Sequence, residues 1–147
     1  MLPPPVYQLA LILHVLFAMI WLSATASIPR RLREALQGDA SHTAVLIQSA
    51  GKQRNQAPIA SGVMLLTGIL LALHLGFPKI DVRYHIAMTT TLLLFLADVI
   101  PARATIAALL KGTDRSQLDG LRKRMAMITG IEHLLFAVTL VLMLWRL

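Results

Sequence analysis

Four apolar runs, each close to the length that crosses a bilayer, leave this chain few folds to choose from. They cover about 7–28, 58–75, 84–100 and 125–145. Where no water is at hand a segment must satisfy its own backbone N–H and C=O groups, and runs of this length do so as α-helices. With 56% hydrophobic residues over 147 positions, the composition is too apolar for a soluble domain of this size. The sequence therefore predicts an all-α, four-helix transmembrane bundle forming one domain over 1–147. The first run lacks the basic start and short apolar core of a cleaved signal, so it reads as a retained span. Pro101 is expected to end the third span.

Basic residues near span ends resist translocation, so their distribution predicts orientation. Arg30, Arg31, Arg33, Lys52 and Arg54 lie in the first connection, and Arg103, Lys111, Arg115, Arg122, Lys123 and Arg124 in the third. Only Lys79 and Arg83 lie in the second connection, and only Arg146 near a terminus. Both termini are thus expected on the outer, periplasmic side of a bacterial inner membrane. The formal net charge of +7 is mostly this topology signal together with attraction to anionic lipid. No stacking aromatics accompany it, so the lipid bilayer and not nucleic acid is the expected partner.

The chain has no cysteine, which removes disulfides, thiolate metal sites, iron–sulfur clusters and thiol catalysis together. Residues 30–36 read as a continuation of the first span, and 104–110 as a short surface helix before a break at Gly112-Thr113-Asp114. Small residues mark close helix approach: Ser23, Ala24, Ala26 and Ser27 end span one, while Ala57/Ser61 and Gly68/Ala72 repeat at four-residue spacing in span two. Packing is the favoured explanation of these patterns. They leave room for a homo-oligomer without specifying its interface.

Polar side chains inside the spans carry the functional information, because each is costly there unless partnered. His14 sits in the middle of an apolar stretch and must find a protein group, a metal or a cofactor. His74 and His85 fall near the outer surface, with Met88 one turn after His85. Imidazole nitrogens and thioether sulfur suit haem iron or copper. For His74, His85 and Met88 taken singly, interfacial hydration or packing is the simpler account. On the inner side lie Asp98, Glu132 and His133, a candidate proton pathway. For Asp98 the structural alternative is a surface salt bridge to Arg103, weighed about evenly with function. The echo His14-Val15-Leu16-Phe17-Ala18 and His133-Leu134-Leu135-Phe136-Ala137 joins antiparallel spans at levels about 10 Å apart, given a rise of ~1.5 Å per residue. One haem clamped by both is therefore disfavoured.

Leu13-His14 through Trp21, then Ile28-Pro29-Arg30-Arg31-Leu32, resembles the first helix of the HemJ-type protoporphyrinogen oxidases and of the related CopD copper-resistance membrane domain. Gln53-Arg54 before span two, Tyr84-His85-Ile86 opening span three, and Arg122-Lys123-Arg124 before span four are similar in order and spacing. The HemJ-type resemblance implies haem or porphyrin binding through His14 and His85. The chain differs in carrying Ala87 where that family has a basic residue, and in lacking an Asn-Glu-Ala-Pro stretch before the last helix. The CopD resemblance implies a functional glutamate in the last helix, matching Glu132.

Together these observations lead to the expectation of a membrane protein that binds haem b or porphyrin near its outer half and serves redox chemistry of the protoporphyrinogen oxidase type. His14 and His85 are the expected ligands, with His74 or Met88 as the alternative. Protons would leave through Glu132, His133 and Asp98, and electrons would pass to a redox partner in the membrane. Copper handling by the outer His and Met residues is the second expectation. A non-catalytic assembly subunit is the third. The sequence assigns no catalytic residue.

Overall fold

The computed structural model describes residues 2–76, 81–111 and 115–144, and among them there is no strand. The elements are α1 (Pro4–Ala26), α2 (Ile28–Gln37), α3 (Ala40–Arg54), α4 (Ala57–Leu75), α5 (Val82–Ala97), a π-helical turn (Asp98–Ala102), α6 (Arg103–Leu110) and α7 (Arg115–Leu144). They group into four long rods, 4–37, 41–75, 82–110 and 116–144, each apolar enough to cross a membrane. At ~1.5 Å per residue such rods measure roughly 44–52 Å, well beyond the ~30 Å of hydrocarbon, so each has length to spare outside it. The chain is a multi-pass membrane protein and an all-α bundle.

Local sequence accounts for the rods and for their breaks. Asp39 caps α3 by accepting the His42 N–H at 2.8 Å, and that bond holds its carboxyl below the usual range. Asp81 caps α5 by accepting the Arg83 N–H at 2.9 Å and its guanidinium at 2.7 Å. The Arg83 side chain, more than the backbone bond, pushes Asp81 down to about 2. Gly76, with φ of +84°, ends α4 in the left-handed region that glycine occupies without strain. Ser27 separates α1 from α2, and Pro29 and Pro58 occupy first-turn positions of α2 and α4, where a missing N–H costs nothing.

Four features differ from the sequence reading. Residues 40–54, taken for a loop, form α3, because Asp39 supplies the cap and Ile47 and Ala50 supply a buried face. Pro101 does not end the third rod. The wider π turn absorbs the proline's missing N–H and ring, and the chain continues into α6, whose Thr105 hydroxyl donates to the Pro101 carbonyl at 2.7 Å. Residues 103–110 are only partly a surface helix, since Thr105, Ile106 and Leu109 are buried. The rod that carries span four starts at Arg115, ten residues before the expected boundary. The expected Gly112-Thr113-Asp114 break, Lys79, Trp145 and Arg146 lie outside the described residues.

Burial divides the bundle into two apolar clusters. One gathers Trp21, Ala24, Ala57, Ala60, Met64 and Leu94 where α1, α4 and α5 meet, with Phe136 of α7 against it. The other gathers residues from the opposite ends of the same rods, including Ile28 and Leu32 of α2, Ala50 of α3, Ile106 of α6, and Met125 and Ile128 of α7. Of the small residues expected to mark close approach, Ala24, Ala57, Ser61 and Ala72 are buried, Ser27 and Gly68 are half-buried, and Ser23 and Ala26 are exposed on α1. Large side chains such as Ile12, Met19, Leu66 and Leu134 stay more than 60% exposed, as fits a surface solvated by lipid.

Candidate functional site

Between the two clusters lies a polar layer. On the second, third and fourth rods it falls between a residue of one cluster and a residue of the other: Arg54 between Ala50 and Ala57, Asp98 between Leu94 and Ala102, Glu132 between Ile128 and Phe136. Arg54, Asp98 and Glu132 are 2%, 1% and 0% exposed. Arg54 Nη2 donates to Asp98 Oδ1 at 2.7 Å and also to Glu132 Oε1. Trp21, itself fully buried, donates its indole N–H to Asp98 Oδ2 at 2.8 Å. All four rods therefore contribute to one buried network. The breaks in the first three rods, at Ser27, after Arg54 and at Asp98, fall beside it.

His133 flanks this layer and does not join the carboxylates by a direct bond. Its Nε2 pairs with Thr25 Oγ1 at 3.0 Å, and its ring meets Trp21 edge-on at 5.7 Å between centroids. The Thr25 hydroxyl also lies 3.1 Å from the Trp21 carbonyl, so Thr25 links His133 to the backbone of α1. Asp98 does not use Arg103, whose side chain is exposed in α6. Its cation is Arg54, whose position in the basic first connection made it look like a topology residue.

The second location is a cavity of about 210 Å³ among α1, α4, α5 and α7. His14, Met64, Gly68, Met88, Thr91 and Met143 are among its walls, and Leu11 and Leu75 form part of them while remaining 42% and 48% exposed. It is thus an open cleft with an apolar mouth. His14 Nδ1 lies 3.0 Å from the Met64 carbonyl and 3.0 Å from Thr67 Oγ1. The carbonyl only accepts, and the Thr67 hydroxyl donates to the Val63 carbonyl at 2.7 Å, so Nδ1 carries the proton. In the neutral ring that places the lone pair on Nε2. Metal-ligating imidazoles are held in this way, by a hydrogen bond from the nitrogen that does not ligate.

The remaining expected ligands go elsewhere. His85 is exposed on α5, where Tyr84, Ala87 and Met88 turn to the cavity instead. His74 accepts the Leu2 N–H on Nδ1 at 2.9 Å and packs on the Tyr7 ring at 4.6 Å. His14 on α1 and Met88 on α5 both line the cleft, whereas His74 and His85 do not. Among the described residues no three His, Asp or Glu side chains converge to hold a metal ion. That Met64, Met88 and Met143 line one cleft with His14 was missed in the sequence, where only Met88 was singled out.

Comparison with known protein families, with curated proteins and with solved structures returned no match.

Proposed function

We propose that this chain is a haem- or porphyrin-binding redox protein of a bacterial inner membrane, of the HemJ-like kind its sequence resembles, with its basic end on the cytoplasmic side. The observation that carries the reading is the pair of hydrogen-bond partners on His14 Nδ1, which leaves the lone pair of the neutral ring on Nε2 in a residue that lines an apolar cleft. Imidazole and thioether donors both suit haem iron, so His14 and Met88 would hold the group, in place of the expected His14 and His85. At about 210 Å³ the cleft is smaller than common pockets for large ligands, ~300–1,000 Å³, and its exposed rim at Leu11 and Leu75 suits a ligand that reaches it from the lipid. Bound there, the tetrapyrrole would supply one-electron chemistry. The chain's own part is to orient Nε2 and exclude water.

The test is a reduced-minus-oxidised absorption spectrum of the purified protein after haem supplementation. A Soret and an alpha band support the reading, and their absence discards it.

A second reading is copper handling, and one observation favours it: three thioether side chains and one imidazole share the cleft, a donor set suited to Cu(I). Cu(I) uptake without any Soret band would replace the first reading with this one.

A further inference from the structure

Two carboxylates and one guanidinium meet where water is excluded. Fully ionised, Arg54, Asp98 and Glu132 would leave one negative charge uncompensated in the apolar interior, an arrangement that burial opposes. One proton removes the imbalance, and the hydrogen bonds say where it resides. Asp98 receives a donor on each oxygen, Arg54 Nη2 on Oδ1 and Trp21 Nε1 on Oδ2, as an ionised carboxylate requires. Glu132 receives Arg54 on Oε1 alone, and its Oε2 is buried with no partner. The hydroxyl of a protonated carboxyl belongs on that oxygen.

Three further buried atoms lack partners, namely Thr129 Oγ1, Arg54 Nε and Arg54 Nη1. Thr129 is 2% exposed and precedes Glu132 by three residues on α7, so the two side chains project from the same side of the helix. Orphaned buried donors and acceptors in one layer signal an internal water, which takes about three hydrogen bonds in such places. Water can accept from Arg54 and from the Glu132 hydroxyl and donate to Thr129.

We propose that Glu132 holds one exchangeable proton, passed between its Oε2 and a water lodged against Arg54 and Thr129, so that the polar layer is a proton-loading site within the bundle. On unloading, the Oε2–H bond breaks, its electron pair stays on the carboxylate, and the proton goes to the water oxygen. Arg54 Nη2, already on Oε1, then faces two anions. The groups around the site are Arg54 from α3, Asp98 from the π turn, Trp21 and Thr25 from α1, and Thr129 and His133 from α7. The α4 helix brings no titratable group near it, His74 being at its far end. The site stands independently of any ligand at His14.

Infrared spectra of the full chain in lipid vesicles, recorded across pH in water and in deuterium oxide, test the proposal. The wild type should show a carboxylic-acid carbonyl stretch at neutral pH that moves to lower frequency in deuterium oxide and fades as pH rises. Glu132→Gln should abolish it, while His14→Ala should leave it in place. Should Glu132→Gln fail to fold, Thr129→Val, which keeps the carboxyl, must move the band. No acid band at neutral pH, a band that survives Glu132→Gln, or one that Thr129→Val leaves unmoved would each overturn the proposal.

Discussion

Arg54 Nη2 stands 2.7 Å from Asp98 Oδ1 while also bonding Glu132, so one guanidinium nitrogen ties three rods together in a layer that separates two apolar clusters. Residues 44 and 78 positions away in sequence meet on that single atom.

Removing the cation alone should be far worse than removing the whole network. Arg54→Ala leaves the buried Asp98 carboxylate and Glu132 carboxyl without their cation and should destabilise the fold by about 3–5 kcal/mol, whereas an Arg54→Met, Asp98→Leu, Glu132→Leu triple variant should be neutral or more stable by about 1–4 kcal/mol. Thermal unfolding in detergent measures both. Equal losses in the two variants would contradict a buried ionic layer.

Trp21 contributes a hydrogen bond as well as bulk. Trp21→Phe keeps most of the packing against Phe136 but strips Asp98 Oδ2 of its donor, at a cost of about 1.5–3 kcal/mol for a bond to a charged group. Made in the Asp98→Leu background, the same substitution should lose most of that effect. A cycle showing no coupling would refute the role.

Thr67 orients His14 and touches no ligand itself. Thr67→Val removes one of two acceptors for Nδ1–H and should weaken haem or Cu(I) binding by about 10-fold, with the absorbance maxima unchanged if Nε2 still ligates. Titration of the purified variant reads this directly. Unchanged affinity would show that the Met64 carbonyl alone fixes the ring.

Gly68 sets the floor beneath the imidazole. A methyl there would lie 3.5 Å from His14 Cε1, an ordinary contact, so Gly68→Ala should retain binding. Gly68→Phe should abolish binding, since a Cβ there already meets His14 and the added ring must enter the cleft that Gly68 lines. Retained binding in Gly68→Phe would place the ligand elsewhere.

The cap of α5 gives an acid-side prediction. Arg83 holds the folded Asp81 at about 2, below its ordinary value of 3.8, so its contribution to stability is complete above the ordinary value and is lost as pH falls through about 2. Asp81→Asn should therefore flatten stability against pH over that acidic window and leave the slope at neutral pH alone. Urea denaturation at several pH values checks it.

Much of the bundle was legible because lipid solvation writes itself as long apolar runs, and small residues such as Ala57, Ser61 and Ala72 marked the close faces. The extent of the rods was less legible. Charges at Arg30, Lys52 and Lys123 look like loop residues, yet the rods carry them on exposed sides while Leu32, Ile47 and Leu118 bury a second core. His14 announced itself through sheer apolar context, but its partners on α4 depend on a helix pairing that spacing does not encode. Arg54 was hidden among the basic residues that report orientation. The usable signal was its place at the very end of α3, three residues before the apolar run of α4 begins.

The ligand role of His14 is tested most directly by haem-reconstituted spectra of His14→Ala beside His85→Ala. The account predicts that the Soret and alpha bands disappear in His14→Ala and persist in His85→Ala. Bands that survive in His14→Ala, or that vanish in His85→Ala, would contradict it.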